Sequence, residues 1–284
     1  MKAYPQEIKS PVFQLFSESG KEPSSFIFVD VMIVEDVATA SVLLPLLIGL
    51  IAFLYSGVGH GGASGYIAVM ILLGMTPSSV RPQALVLNCM VSALSFFEFR
   101  RVAEPNKRVF IPLCMASIPA AFLGGMISVP DSLFHHLLGF LLLFPFFRLL
   151  ELPGVKGPGP AEREPAIVVL VLVGLCIGLL SGMIGIGGGI LLSPLFLMMG
   201  WSGPKQVAAL SALFIFVNSL SGLAAQGLVN GSALLTSLSI PVLIFALAGG
   251  IIGARFGSVK LNSVQLKRLL ATVILIASVK LILT

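Results

Sequence analysis

The sequence predicts an all-α polytopic membrane protein. It is built from two inverted-topology repeats of about five helical segments each, with short or broken helices at two glycine motifs. Three observations predict this. Of 284 residues, 57% are hydrophobic and 10% charged, and the mean hydropathy is +1.05, whereas a soluble domain is about 25% charged. The run Gly59-His60-Gly61-Gly62-Ala63 returns as Gly185-Ile186-Gly187-Gly188-Gly189, and Gly74 and Gly200 keep the same spacing. Finally, Lys and Arg alternate between equivalent loops of the two halves.

Hydropathy and breakers place five segments at about 37–57, 61–74, 82–100, 109–128 and 133–150, and five more at about 166–183, 188–200, 205–226, 233–253 and 265–283. Runs such as Val37–Ser56, Ala166–Ile184 and Leu234–Gly253 approach the ~20 residues that cross a hydrocarbon core. Four regions follow: a surface or interfacial tail at 1–36, a first transmembrane repeat at 37–152, a linker at 153–165, and a second repeat at 166–284. Within the linker, Pro153 to Pro160 alternate proline and glycine, which deny helical hydrogen bonds and add backbone entropy. The tail is not a signal peptide by pattern, because Asp30 interrupts Phe26–Val34 and Glu35-Asp36 end it.

Charge supports the inversion. Arg100, Arg101, Lys107 and Arg108 follow the third segment, while the counterpart Gln226–Ser232 has no basic residue. One segment later the pattern swaps: Ser128–Ser132 holds only Asp131, and the stretch after the ninth segment holds Arg255, Lys260, Lys267 and Arg268. Basic loops favour the cytoplasm, so equivalent loops lie on opposite faces. An odd number of segments per half requires the same flip. Both termini are then expected outside a cell (inner) membrane.

Several functions are excluded or weakened. The net charge of +5 sits in loops that set orientation, so it gives no reason to expect nucleic acid. Cys89, Cys114 and Cys176 lie in apolar segments without metal-ligand spacing and are read as small core residues at helix contacts. No metal or cofactor is expected. Nothing resembles the phosphate-binding GxxxxGK[ST] loop.

The helices after the glycine runs are short, and at 1.5 Å per residue they cover roughly half of a ~30 Å core. They start near the midplane or are re-entrant. Irregular backbone at that depth is tolerated when buried in protein or lining a water-filled cavity. Helix N-termini offer free amides and a positive dipole end, which suit an anion. Gly59, Gly61, Gly62 and Ser64 on one side, and Gly185, Gly187, Gly188 and Gly189 on the other, are therefore candidate walls of one anion site. Close helix packing by small residues explains the same glycines without a ligand. On the site reading, Gly188→Leu fills the amide cradle.

Ser181-Gly182-Met183-Ile184-Gly185-Ile186-Gly187-Gly188-Gly189 followed by Pro194 resembles the sulfite exporter TauE/SafE family of membrane permeases. So do Arg81-Pro82-Gln83-Ala84-Leu85-Val86-Leu87-Asn88 and Ser211 through Asn218, and the likeness covers about residues 42–283. The first motif departs from the family at His60 and Ala63-Ser64. The resemblance implies export of sulfite or a related organosulfonate such as sulfoacetate, a small anionic substrate, a lipid environment, no bound cofactor, and compatibility with a homodimer.

Individual residues sharpen the site. Arg81 offers paired, permanently charged donors to an oxyanion, or snorkels at the interface. Gln83, Asn88 and Asn218 offer neutral amides, which equally suit helix–helix bonds. His60 can donate to an anion, titrate and couple transport to protons, or serve as an ordinary loop histidine. His135 and His136 are expected at the interface. Glu98, beside Arg100 and Arg101, suits an ion pair. Two other functions stay open at this point: a passive anion channel, and an intramembrane serine protease using Ser64 of Gly62-Ala63-Ser64-Gly65 with His135 or His136 as base.

Overall fold

The computed structural model describes residues 42–127, 130, 165–230 and 238–262, with isolated helical positions Gln265, Arg268, Thr272 and Leu275. The 1–36 tail, the fifth segment and the 153–164 linker lie outside the described residues, as do His135, His136 and most of the tenth segment. Of two compact units, Met1–Leu43 and Leu44–Thr284, the second carries nearly everything that follows.

All described elements are helices: α1 Val42–Ser56, α2 Ala63–Leu72, α3 Pro77–Phe99, α4 Lys107–Met126, α5 Ile167–Ile184, α6 Gly189–Met199, α7 Pro204–Asn230 and α8 Ile240–Arg255. A π-helical turn, Phe256–Lys260, prolongs α8. Five of these are long and apolar enough to cross a membrane, namely α3, α4, α5, α7 and α8 with its extension. Helices α2 and α6 have 10 and 11 residues and reach roughly half of a hydrocarbon core.

Boundaries follow local chemistry. Helix α3 starts at Pro77 after an extended Thr76, five residues before the predicted start, because proline fits the first turn where its missing N–H is not needed. Pro82, read as a start, sits inside the helix. Arg81 therefore belongs to the second turn of α3. Asn106 caps α4 by accepting from the Arg108 amide at 3.0 Å. Helix α8 begins at Ile240, later than the predicted 233.

Small residues set the packing. On α5, a Cβ at Gly174, Gly178 or Gly182 would collide with the carbonyls of Leu113, Ser117 and Ala121 on α4. On α1 and α8, Gly49 meets Gly249, Phe53 meets Gly253 and Gly57 meets Gly257 in the same manner. Such close backbone approach is how helices associate in lipid, where no hydrophobic force separates them from the solvent. The other pairings include α3 with α7, α4 with α7, α8 with α3, α2 with α3, α6 with α7 and α5 with α7. Most of these pairings exchange into one another when the halves are swapped.

The outer faces are apolar. Ile167 and Val168 of α5, Met115 of α4 and Ile240 of α8 are each more than two-thirds exposed, as suits lipid. Cys176 is exposed as well, Cys89 half-buried and Cys114 buried, so Cys176 is not the core residue expected of it. Glu98 pairs with Arg101 at 3.3 Å on an exposed face, a contact of little energetic weight. Arg100 instead lies over the rings of Phe96 and Phe97.

Candidate anion site between two glycine breaks

Both breaks terminate one helix and start another. After α1, the chain turns through Gly59 and enters α2 from Gly62, its N-cap, at φ 98°. After α5, it turns through Gly185 and Gly187 and enters α6 from Gly188, its N-cap, at φ 77°. These left-handed conformations are cheap for glycine and costly for other residues. The repeated glycines thus encode the same backbone event twice.

The two breaks adjoin. Asn88 of α3 joins them: its Oδ1 accepts from the Ala63 amide at 3.1 Å, and its Nδ2 donates to the Ile186 carbonyl at 3.3 Å and to Ser219 Oγ at 2.8 Å. His60 crosses the same gap, with Nε2 3.0 Å from the Gly189 carbonyl and 3.2 Å from Ser193 Oγ. Ser193 continues to Ser211 of α7 at 2.7 Å. Tyr66 Oη donates to the Gly61 carbonyl at 2.6 Å, bracing the first break, and Ser64 Oγ donates to Tyr55 Oη at 3.0 Å.

Between the breaks lies a hollow with about 10 Å³ of water-accessible space. Its walls are Tyr55, His60, Gly61, Gly62, Ala63, Ser64, Asn88, Ile186, Ile190 and Ile215. That volume suits one water, too little for a sulfur oxyanion. Helices α2 and α6 both start at this hollow. Among the described residues, the first-turn amides of Ser64, Gly65, Gly189 and Ile190 have no hydrogen-bond acceptor. Free amides at two helix N-termini make the hollow's rim electropositive.

The other candidate residues are placed differently. Gly59 packs on Ala208, and Gly187 on Asn88 and Ser219. Arg81 is 8% exposed and packs its Cβ and Cγ beside Gly185, so it is buried behind the second break and does not snorkel. Gln83 is buried on α3 without lining the hollow. Asn218 turns inward on α7 and donates to the Phe214 carbonyl at 2.8 Å, one turn back on its own helix. Its Oδ1 has no partner among the described residues. A Cβ at Gly188 would meet Ile177 at 2.8 Å and Phe214 at 2.9 Å. A leucine at Gly188 therefore first meets the packing of α5 against α7.

Tyr55, Tyr66, Ser193, Ser211 and Ser219 are polar members of the site that the sequence reading passed over. A faint signal existed: Tyr66 follows Gly62, and Ser193 follows Gly189, by one helical turn. Among the described residues, no group of His, Cys, Asp and Glu has metal-binding geometry.

The profile of the sulfite exporter TauE/SafE family matches residues 44–281. A protein described as a probable membrane transporter in Sinorhizobium fredii is 33% identical over 242 residues, covering 82% of this chain and 94% of that one. A second probable membrane transporter, from Methanocaldococcus jannaschii, is 24% identical over 177 residues, covering 60% and 65%. No solved structure matches the chain. The family and these relatives are transport proteins, not enzymes, and that disposes of the protease reading of Ser64, whose hydroxyl is in any case given to a phenol. With the matched region spanning both breaks and every described helix, the chain belongs to the sulfite exporter TauE/SafE family and is a membrane transporter.

Proposed function

We propose that this transporter is a secondary carrier exporting a small sulfur oxyanion, sulfite or an organosulfonate such as sulfoacetate. The anion binds near the midplane, where the two breaks meet. One observation carries this reading: the N-termini of α2 and α6 open onto a single hollow, with unpaired amides from both. Two dipole ends and several amides can hold an oxyanion without a full charge in the wall. Arg81, behind Gly185, adds positive potential at short range. The description of the family supports the substrate class.

That most helix pairings exchange into one another when the halves are swapped supports a two-fold relation between them, and the alternation of basic loops supports its being inverted. Repeats of that kind transport by rocking about a fixed site. The water-sized hollow favours a carrier over a passive channel, since the anion enters only when the breaks separate.

The test is flux from proteoliposomes loaded with labelled sulfite. A carrier gives saturable efflux, accelerated by unlabelled sulfite on the far side. Unsaturable efflux without counter-transport indicates a channel, and no sulfite-dependent flux at all rejects the substrate.

A further inference from the structure

His60 stands out because both of its ring nitrogens face acceptors. Nδ1 is 3.1 Å from the Val58 carbonyl, and Nε2 is 3.0 Å from the Gly189 carbonyl. A carbonyl only accepts, so each contact needs an N–H. A neutral imidazole has one N–H and one lone pair, and either tautomer sets that lone pair against a carbonyl oxygen. Two N–H groups, as in the imidazolium, satisfy both contacts together. The ring also has a prepared alternative, since Ser193 Oγ lies 3.2 Å from Nε2 and is itself bonded to Ser211. With Nε2 deprotonated, the Ser193 hydroxyl donates to it, and the Gly189 carbonyl loses its partner.

We propose that His60 is the proton-binding site of the transport cycle and works as a latch between the two breaks. This rests on the reading above that the anion enters the hollow. With the proton bound, Nε2–H holds the Gly189 carbonyl, the first break stays tied to the start of α6, and the hollow keeps its water size. Release of that proton to water on the open side converts Nε2 to an acceptor for Ser193. The breaks then part, and the amides of α2 and α6 take the anion. Proton and anion occupy the site in turn, so a proton moving inward is exchanged for an anion moving outward.

Groups brought against His60 among the described residues come from five helices. Ser193 of α6 meets its ring, with Ser211 of α7 bonded behind it; Ser95 of α3 donates to its carbonyl; Tyr55 of α1, Ser64 of α2 and Asn88 of α3 line the same hollow, and Tyr66 of α2 bonds the adjacent Gly61 carbonyl. None is a charged side chain, so the proton on His60 is the local switch of charge.

The experiment uses the full chain in lipid nanodiscs, labelled with 15N-histidine. His135→Gln and His136→Gln leave His60 as the sole signal, because the chain has three histidines. As the pH is lowered, both ring nitrogens are expected to become protonated. Sulfite added at the midpoint is expected to return the ring to one N–H, by the reciprocity of coupled binding. A ring that keeps one N–H throughout, or that gains protonation with sulfite, overturns the latch.

The second arm is sulfite efflux from proteoliposomes with and without an acidic exterior. Coupling of ordinary strength accelerates efflux by about fivefold or more, and His60→Gln brings that ratio to one. Wild-type efflux indifferent to the gradient overturns the latch while leaving the carrier reading intact. Absence of any sulfite efflux removes the substrate assignment, and the titration then decides the latch by itself.

Discussion

Around the first break, polar side chains fill the space: Tyr66 holds the Gly61 carbonyl, Asn88 caps α2, and His60 reaches across the gap. Around the second, Ile177, Phe214 and Ile215 press on Gly187, Gly188 and Gly189, and the hydrogen bonds to Ile186 and Gly189 come from residues of the first half. Both breaks share a backbone path through left-handed glycines. They differ in who supplies which polar groups: the first half brings the imidazole, amide and phenols, and the second answers with carbonyls and the hydroxyls of Ser193, Ser211 and Ser219.

The contrast is widest at Gly188, where a Cβ would meet Ile177, Phe214 and the Ser181 Cβ. Gly188→Leu combines backbone strain at φ 77° with overpacking of Ile177 and Phe214, together about 4 kcal/mol. It should lower expression and unfolding temperature, not only flux. A well-folded variant lacking only transport would put the side chain in the cradle after all. Next comes Asn88→Leu, which removes three bonds, two of them joining the halves. At about 0.6 kcal/mol each in a membrane, the loss is about 2 kcal/mol, read by denaturant titration in detergent. Ser219→Ala, which removes one of the three, should cost about a third of that.

Arg81→Ala should weaken sulfite binding about tenfold, or about 1.4 kcal/mol, in an equilibrium titration. Lys156→Ala should leave it unchanged, and equal effects would detach Arg81 from the site. The smallest effect is expected at Ser64. Its bond to Tyr55 is worth about 0.6 kcal/mol, so Ser64→Ala should keep efflux within about twofold.

Much of the fold was legible because glycine and proline punctuate an apolar chain wherever they fall. Helices α2, α5 and α6 lie within about two residues of the predicted segments, each bounded by a glycine that ends or starts a helix. The start of α3 was not, because Pro77 and Pro82 are equally good first-turn residues in isolation and only the packed structure shows the helix running through the second. The place of the candidate site was legible for the same reason as the breaks. Its wiring was not. Whether Asn88 meets Ile186 or lipid depends on the register of α3 against α5 and α7, and a serine such as Ser193 carries no mark of its partner in the sequence. Arg81 illustrates the limit: residue type and position allowed an exposed interface or a buried place, and only the packed structure shows it buried beside Gly185.

Filling the hollow tests most directly whether an anion binds where α2 and α6 begin. Ala63 lines it and is 2% exposed, and Ala63→Phe brings a ring to a space of water size. Sulfite should raise the thermal midpoint of the wild-type protein saturably, as any ligand of the folded state does. The Ala63→Phe variant, still folded, should show no such rise. An equal, saturable rise in both proteins would place the anion elsewhere.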